Sequence, residues 1–115
     1  MLPFVSDETM RERLAGTATY TLAILRRTER YGTAGTEALI WEHGRRNMAL
    51  VQEGLLPVVC PVGDDTGLAG VGIFTGGIDE IHALLAEDPA IEAGILSYTL
   101  HPCRGFPGAQ LPAQS

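Results

Sequence analysis

Residues 18–26 read ATYTLAILR, and the reading of that stretch decides the fold. It is rich in the β-branched and aromatic residues that favour strands. Its apolar side chains fall on both alternating faces, with Tyr20, Leu22 and Ile24 on one and Ala23 and Leu25 on the other. A strand that is apolar on both sides belongs in the middle of a covered sheet.

Working outward, RTERYGTAGT is a polar, Gly-punctuated connection to a helix that Thr36 caps and Gly54 stops. LLPVVCPV is the next strand, and its two prolines suggest an edge or a bulge. GDDTG is a turn, and LAGVGIFTG is the returning strand of a hairpin. GGIDEIHALLAEDPA gives a second helix that starts near Asp79. The Asp88-Pro89 pair ends it, because a residue before proline avoids the helical region. GILSYTLHP is a last strand, and a Pro/Gly-rich tail follows. Upstream, SDETMRERL is one short helix with Ser6 or Asp7 as its cap.

The expected organisation is an N-terminal extension over 1–17, an α+β domain over 18–107 and a tail over 108–115. The order β-α-β-β-α-β is the split βαβ or ferredoxin-like arrangement, an antiparallel sheet with two helices on one face. The second sheet face then stays open while carrying apolar residues from the first and third strands. Apolar faces of that size are rarely left in water. Pairing with the sheet of a second subunit covers it most simply, so a homodimer is expected.

At 115 residues with a formal charge of −6 and a pI near 4.9, the chain fits one domain. It lacks the basic footprint that nucleic acid or an anionic membrane requires. Cys60 and Cys103 make neither a disulfide framework nor a metal-binding pair. The first residues, MLPFVSDETMRER, turn polar too early for a signal peptide, and no apolar run reaches the ~18 residues of a membrane span. A soluble, cytoplasmic protein is the expectation.

The first helix carries an oddity. At 3.6 residues per turn Leu39, Ile40, Leu50 and Val51 share a face, and His43 and Asn47 sit in the middle of it. A lone histidine on such a face is most simply a core residue bonded to a backbone carbonyl. Two converging polar groups are harder to dismiss, since each buried group without a partner costs about 1–3 kcal/mol. Imidazoles ordinarily titrate near pH ~6.5, which suits proton abstraction. Arg46 stands close enough to the His43 side to meet an anionic substrate, although a solvated arginine is the simpler reading. His82 is read as a solvent-facing or rim residue and His101 as an unremarkable strand end. The three histidines show no metal-ligand spacing, so no metal is expected. Cys60, in an apolar strand, reads as a small hydrophobe. Trp41 and Met48, seven apart on the opposite side of the helix, form a narrow stripe that would pack under the N-terminal segment, the tail or another subunit. The strand glycines of GVGIFTGG do not form a phosphate loop.

Three further stretches carry a resemblance. EHGRRNMALVQEGLL resembles the H-x-x-x-L-x-x-L-x-x-x-G-x-L helix of YCII-related proteins. CPVGDDTGLAGVGIF is similar to that family's hairpin, and AEDPAIEAGILSYTLHPCRG to its D-P-x-x-x-A-G ending. The match spans roughly residues 19–107, in order. It implies a dimeric α+β barrel and a His–Asp dyad, which falls on His43 and Asp88. A characterised branch of the family eliminates HCl from chlorinated hydroxyquinol-type rings without metal or organic cofactor. Cys60 stands where the family has the glycine of a Gly-Pro pair, which alters the room beside the pocket. Cys103 stands where it often has an aromatic.

The resulting expectation is a small, cofactor-independent enzyme of lyase or isomerase type. His43 would act as base or acid, Asp88 would orient it, and Asn47, Arg46 and Cys60 would contact a small aromatic or quinone-like ligand. The rivals are a non-catalytic binding or accessory module on the same fold and, with little support from 6% aromatic residues, a cofactor-free oxygenase.

Overall fold

The computed structural model describes residues 1–114, so the last residue of the expected tail lies outside the described residues. Four strands form one antiparallel sheet: β1 (Ala18–Arg27), β2 (Val58–Pro61), β3 (Leu68–Phe74) and β4 (Leu96–Gly105), in the order β2-β3-β1-β4. The stretch that runs 18–26 is therefore a central strand, paired on one side with β3 and on the other with β4. Pro61 and Pro102 both lie on the edge strands, where a missing N–H costs no ladder bond. The architecture is α+β and consistent with a ferredoxin-like fold.

The helices are α1 (Asp7–Ala15), α2 (Glu37–Gln52), α3 (Ile78–Ala86) and α4 (Pro89–Glu92). Ser6 caps α1 by accepting from the Thr9 N–H, and acidic residues fill its first turn, yet the helix buries no residue. It is held by its own caps and not by packing, as an appendage would be. Thr36 stands at the start of α2, but its hydroxyl donates to the Thr33 carbonyl at 2.7 Å and bonds no helix N–H. The expected side-chain cap is thus absent, because the preceding turn takes the hydroxyl first. Gly54, at φ 74°, takes the left-handed position just beyond the end of α2, which a side chain would strain.

The two sheet faces separate along β1. Thr21, Ala23 and Leu25 are buried, whereas Tyr20, Leu22 and Ile24 are only half-buried. The buried set meets Leu50, Leu56, Phe74, Ile81, Leu85, Ala90 and Ile95, so the core lies between the sheet and α2, α3 and α4. Strand partners directly opposite share a face. By that rule the register puts Val71, Ile73, Val58 and Cys60 with Leu22 and Ile24 on the other face. Val51, expected in the core face of α2, is instead 37% exposed, since it falls past the edge of the buried stripe.

A register shift between Leu25 and Arg26 leaves Ala69 as the extra residue on β3. Such bulges bend a strand locally. This one lies beside Gly70 at the end of the sheet that bears the site described next.

Candidate functional site

His43 and Asn47 sit one turn apart on α2, on the side turned to the sheet, and both line a cavity of about 360 Å³ between helix and strands. That volume lies within the range of small-molecule pockets. Its opposite wall includes two glycines of β3, Gly70 and Gly72, between Ala69 and Phe74. Gly70 pairs with Leu25 and Gly72 with Ala23, so both belong to the helix-covered face. A Cβ on Gly72 would stand 2.9 Å from the Leu56 Cδ1, and one on Gly70 3.1 Å from the Cys60 carbonyl. The two alternating glycines thus let Leu56 and the β2 backbone pack closely against β3 where it meets the cavity.

Asp88 comes to His43 from behind. It begins α4, where Oδ1 accepts from the Ala90 N–H at 2.9 Å and from the Ile91 N–H at 3.4 Å. Its other oxygen, Oδ2, lies 2.7 Å from His43 Nδ1. The Asp88 side chain is fully buried and the His43 side chain 14% exposed, so the carboxylate backs the ring and only the ring reaches the cavity. Burial pushes the Asp88 carboxyl up, but the His43 hydrogen bond and charge and the two backbone N–H groups outweigh it, and the net shift is downward. An ionised carboxylate only accepts, so Nδ1 carries a proton, and in the neutral ring Nε2 is the nitrogen with the lone pair. Asn47 Nδ2 stands 3.3 Å from that Nε2, a loose contact that a ligand could displace.

The other expected residues are placed differently. The Arg46 Nη2 donates to the Leu84 carbonyl at 2.7 Å and lies 3.7 Å from Glu87, while its Nη1 is buried without a partner. Arg46 does not line the cavity. It bridges α2 to the end of α3, because a long side chain one residue before Asn47 is rotated about 100° away from it. Cys60 borders the cavity, but its register partner Val71 belongs to the open face. Its thiol is therefore directed away from His43, and its carbonyl is what faces Gly70. His82 is exposed and bonds the Tyr98 hydroxyl, and His101 is exposed on Thr99. Cys103 pairs with Tyr20 on the open face. Trp41 and Met48 are 69% and 55% exposed, so none of the described residues covers that stripe, and Met48, expected on the side opposite His43, borders the same cavity.

One cavity residue escaped the sequence reading. Arg27 extends the alternation of Ala23 and Leu25 by one more step, which puts it on the covered face at the end of β1. It lines the same cavity as His43. Its Nη1 donates to the Asp64 carbonyl at 3.1 Å and its Nη2 to the Val62 carbonyl at 3.0 Å. The guanidinium carbon stands 5.2 Å from the centre of the Tyr31 ring. The period-two spacing was the available signal; reading RTERYGTAGT as a plain connection hid it.

Among the described residues no group of three or more His, Cys, Asp or Glu comes together as a metal set, and no helix is long and apolar enough to cross a membrane. No protein-family model matches the chain, and no curated protein matches it.

Proposed function

We propose that the chain is a small enzyme of YCII type that acts without a cofactor on a small molecule with an aromatic or quinone-like body. His43 Nε2 takes a proton from a carbon or hydroxyl group of the ligand. The electron pair released forms a double bond, and either a leaving group departs with its own pair or the proton returns at another atom. These are elimination and isomerisation respectively. Asp88 keeps Nδ1 protonated and stabilises the imidazolium formed during the step. Asn47 serves both states of the ring: its NH2 donates to the lone pair of neutral Nε2, and after a turn of the amide its carbonyl accepts from Nε2–H.

The observation that carries this reading is the 2.7 Å contact between His43 Nδ1 and a fully buried Asp88, with the ring's other side on the cavity. A desolvated carboxylate behind an imidazole is the arrangement that general-base chemistry needs. The second reading, a non-catalytic binding module, has its own support. Asp88 Oδ1 caps α4, so the pair also ties α2 to α4.

The apolar open face formed by Leu22, Ile24, Val58, Val71 and Ile73 favours a homodimer joined sheet to sheet as a dimeric α+β barrel. A cytoplasmic place fits the same reading.

Replacing His43 with Gln tests the chemistry. The expected outcome is a folded protein that still binds small aromatic ligands by NMR titration but has lost turnover by at least about 100-fold, the usual range for removing a general base. A variant that unfolds while a cavity ligand still binds weakly to its residual folded fraction would mark the pair as structural.

A further inference from the structure

We infer that the cavity is built for an organic carboxylate, with Arg27 as the residue that selects it; this rests on the reading of the His43 cavity as the working site. Arg27 stands out in that cavity because its guanidinium bonds no carboxylate, and the Asp64 charge acts on it only from a distance. Its two protein acceptors, the carbonyls of Val62 and Asp64, are neutral. Among the described residues no carboxylate lies within ion-pair distance of it, unlike Arg45 and Arg46. The Asp64 carboxylate, which feels the Arg27 charge, is bonded not by the guanidinium but by the Thr66 N–H and hydroxyl at 3.1 and 2.6 Å.

A guanidinium has five N–H donors, and two are used here. The two carbonyls and the Tyr31 face fix its plane, which leaves the remaining donors set in advance for a planar acceptor. Arg27 is only partly buried, at the rim of a mostly apolar lining where an arriving counter-charge is favourable. A ligand carboxylate supplies it, and a guanidinium takes that group through paired hydrogen bonds.

The rest of the cavity describes the rest of the ligand. Gly70 and Gly72 expose backbone at the cavity wall beside Leu25, Leu56, Val59 and Phe74, which makes the rest of the lining apolar. A flat apolar body lies there, with its carboxylate on Arg27 and its labile proton toward His43 Nε2. The substrate class is then an unsaturated or aromatic acid, and the anionic group is a recognition handle that does not react.

The test is an NMR titration of the full-length protein, following the Arg27 guanidine and His43 ring signals. The probes are benzoate, phenylacetate and cinnamate, each beside its neutral amide. The acids are expected to bind about ten- to a hundredfold more tightly than their amides, the worth of a charge-assisted hydrogen bond. That ratio should fall to near one in Arg27→Gln and persist in part in Arg27→Lys. The comparison of acid with amide in the unmodified protein does not depend on either variant folding well. Acids and amides that bind alike, or no response across the whole series, would overturn the inference. Acid-selective shifts at Arg27 with the His43 ring unmoved would uphold the anion site and count against His43 as the base, so the two failures are separable.

Discussion

The two faces of the sheet are made by the same strands and differ in what they can do. On the helix-covered face the polar groups are few and each has a protein partner. Thr21 donates to the Gly76 carbonyl at 2.8 Å, Asp88 serves both His43 and the start of α4, and Arg27 is held by two carbonyls. The cavity wall there includes Gly70 and Gly72. On the open face the centre is Leu22, Ile24, Val71 and Ile73, and the polar residues lie around it, with Ser97, Thr99 and His101 on the β4 edge and Arg26 at the end of β1. That face has apolar area but no convergence of polar groups, which suits assembly. The covered face has a cavity with paired, oriented polar groups, which suits chemistry.

The sharpest way to break that division is to put a charge in the middle of the open face. Ile24→Asp should loosen the proposed dimer by about 1,000-fold, because burying an unpaired carboxylate costs several kcal/mol. Light scattering across a concentration series reads the change. An unmodified protein that is already monomeric at micromolar concentration would refute the role given to that face.

A somewhat smaller effect is expected on the covered side. Asp88→Ala removes the α4 cap and leaves the His43 Nδ1–H without its acceptor. Together these losses should cost about 3 kcal/mol of stability near neutral pH. The pH dependence has a definite sign. The folded-state pKa of Asp88 is lowered, so its ionisation stabilises the fold fully above the ordinary carboxylate value of about 3.9. That contribution fades as pH falls through the ordinary value toward the lowered one. Denaturant unfolding of both proteins at neutral pH and near pH ~3 should show the gap narrowing in acid. A constant gap would mean that the carboxyl is not held ionised.

The smallest effect tests the glycines of that wall. Gly72→Ala gains about 0.5–1 kcal/mol through the unfolded chain but forces a Cβ to 2.9 Å from the buried Leu56. Overpacking at such sites costs about 1–3 kcal/mol, so a net loss near 1 kcal/mol is expected, together with a smaller cavity. A gain in stability would show that the wall has room to spare.

Much of this division was legible in the chain. The period-two pattern of 18–26 names a central strand with apolar residues on both faces, because side chains alternate whatever lies around them; that helices cover only the Ala23 and Leu25 side is decided by the fold. The helical period of α2 puts His43 and Asn47 on one side for the same reason. Ser6, Gly54 and the edge prolines announce themselves through local backbone chemistry. What local rules could not reach is any distance across the fold. By local chemistry Asp88-Pro89 reads as a helix stop; the resemblance named Asp88 as the partner of His43, and the packing gives the contact, forty-five residues apart, and the start of α4.

The same limit explains Arg46 and Arg27. Both are arginines beside apolar runs, and the sequence favoured Arg46 because it neighbours Asn47. The fold sends Arg46 to the end of α3 and keeps Arg27 in the cavity. Cys60, one step out of phase with Val59, is turned to the other face by strand register alone. The sequence by itself determined the elements, their order and the polar pair on α2, since those depend on neighbours within a turn or a strand. The tertiary structure decided which carboxylate, which guanidinium and which glycines meet that pair. Those contacts depend on how the strands register and the helices pack, and no local period encodes that.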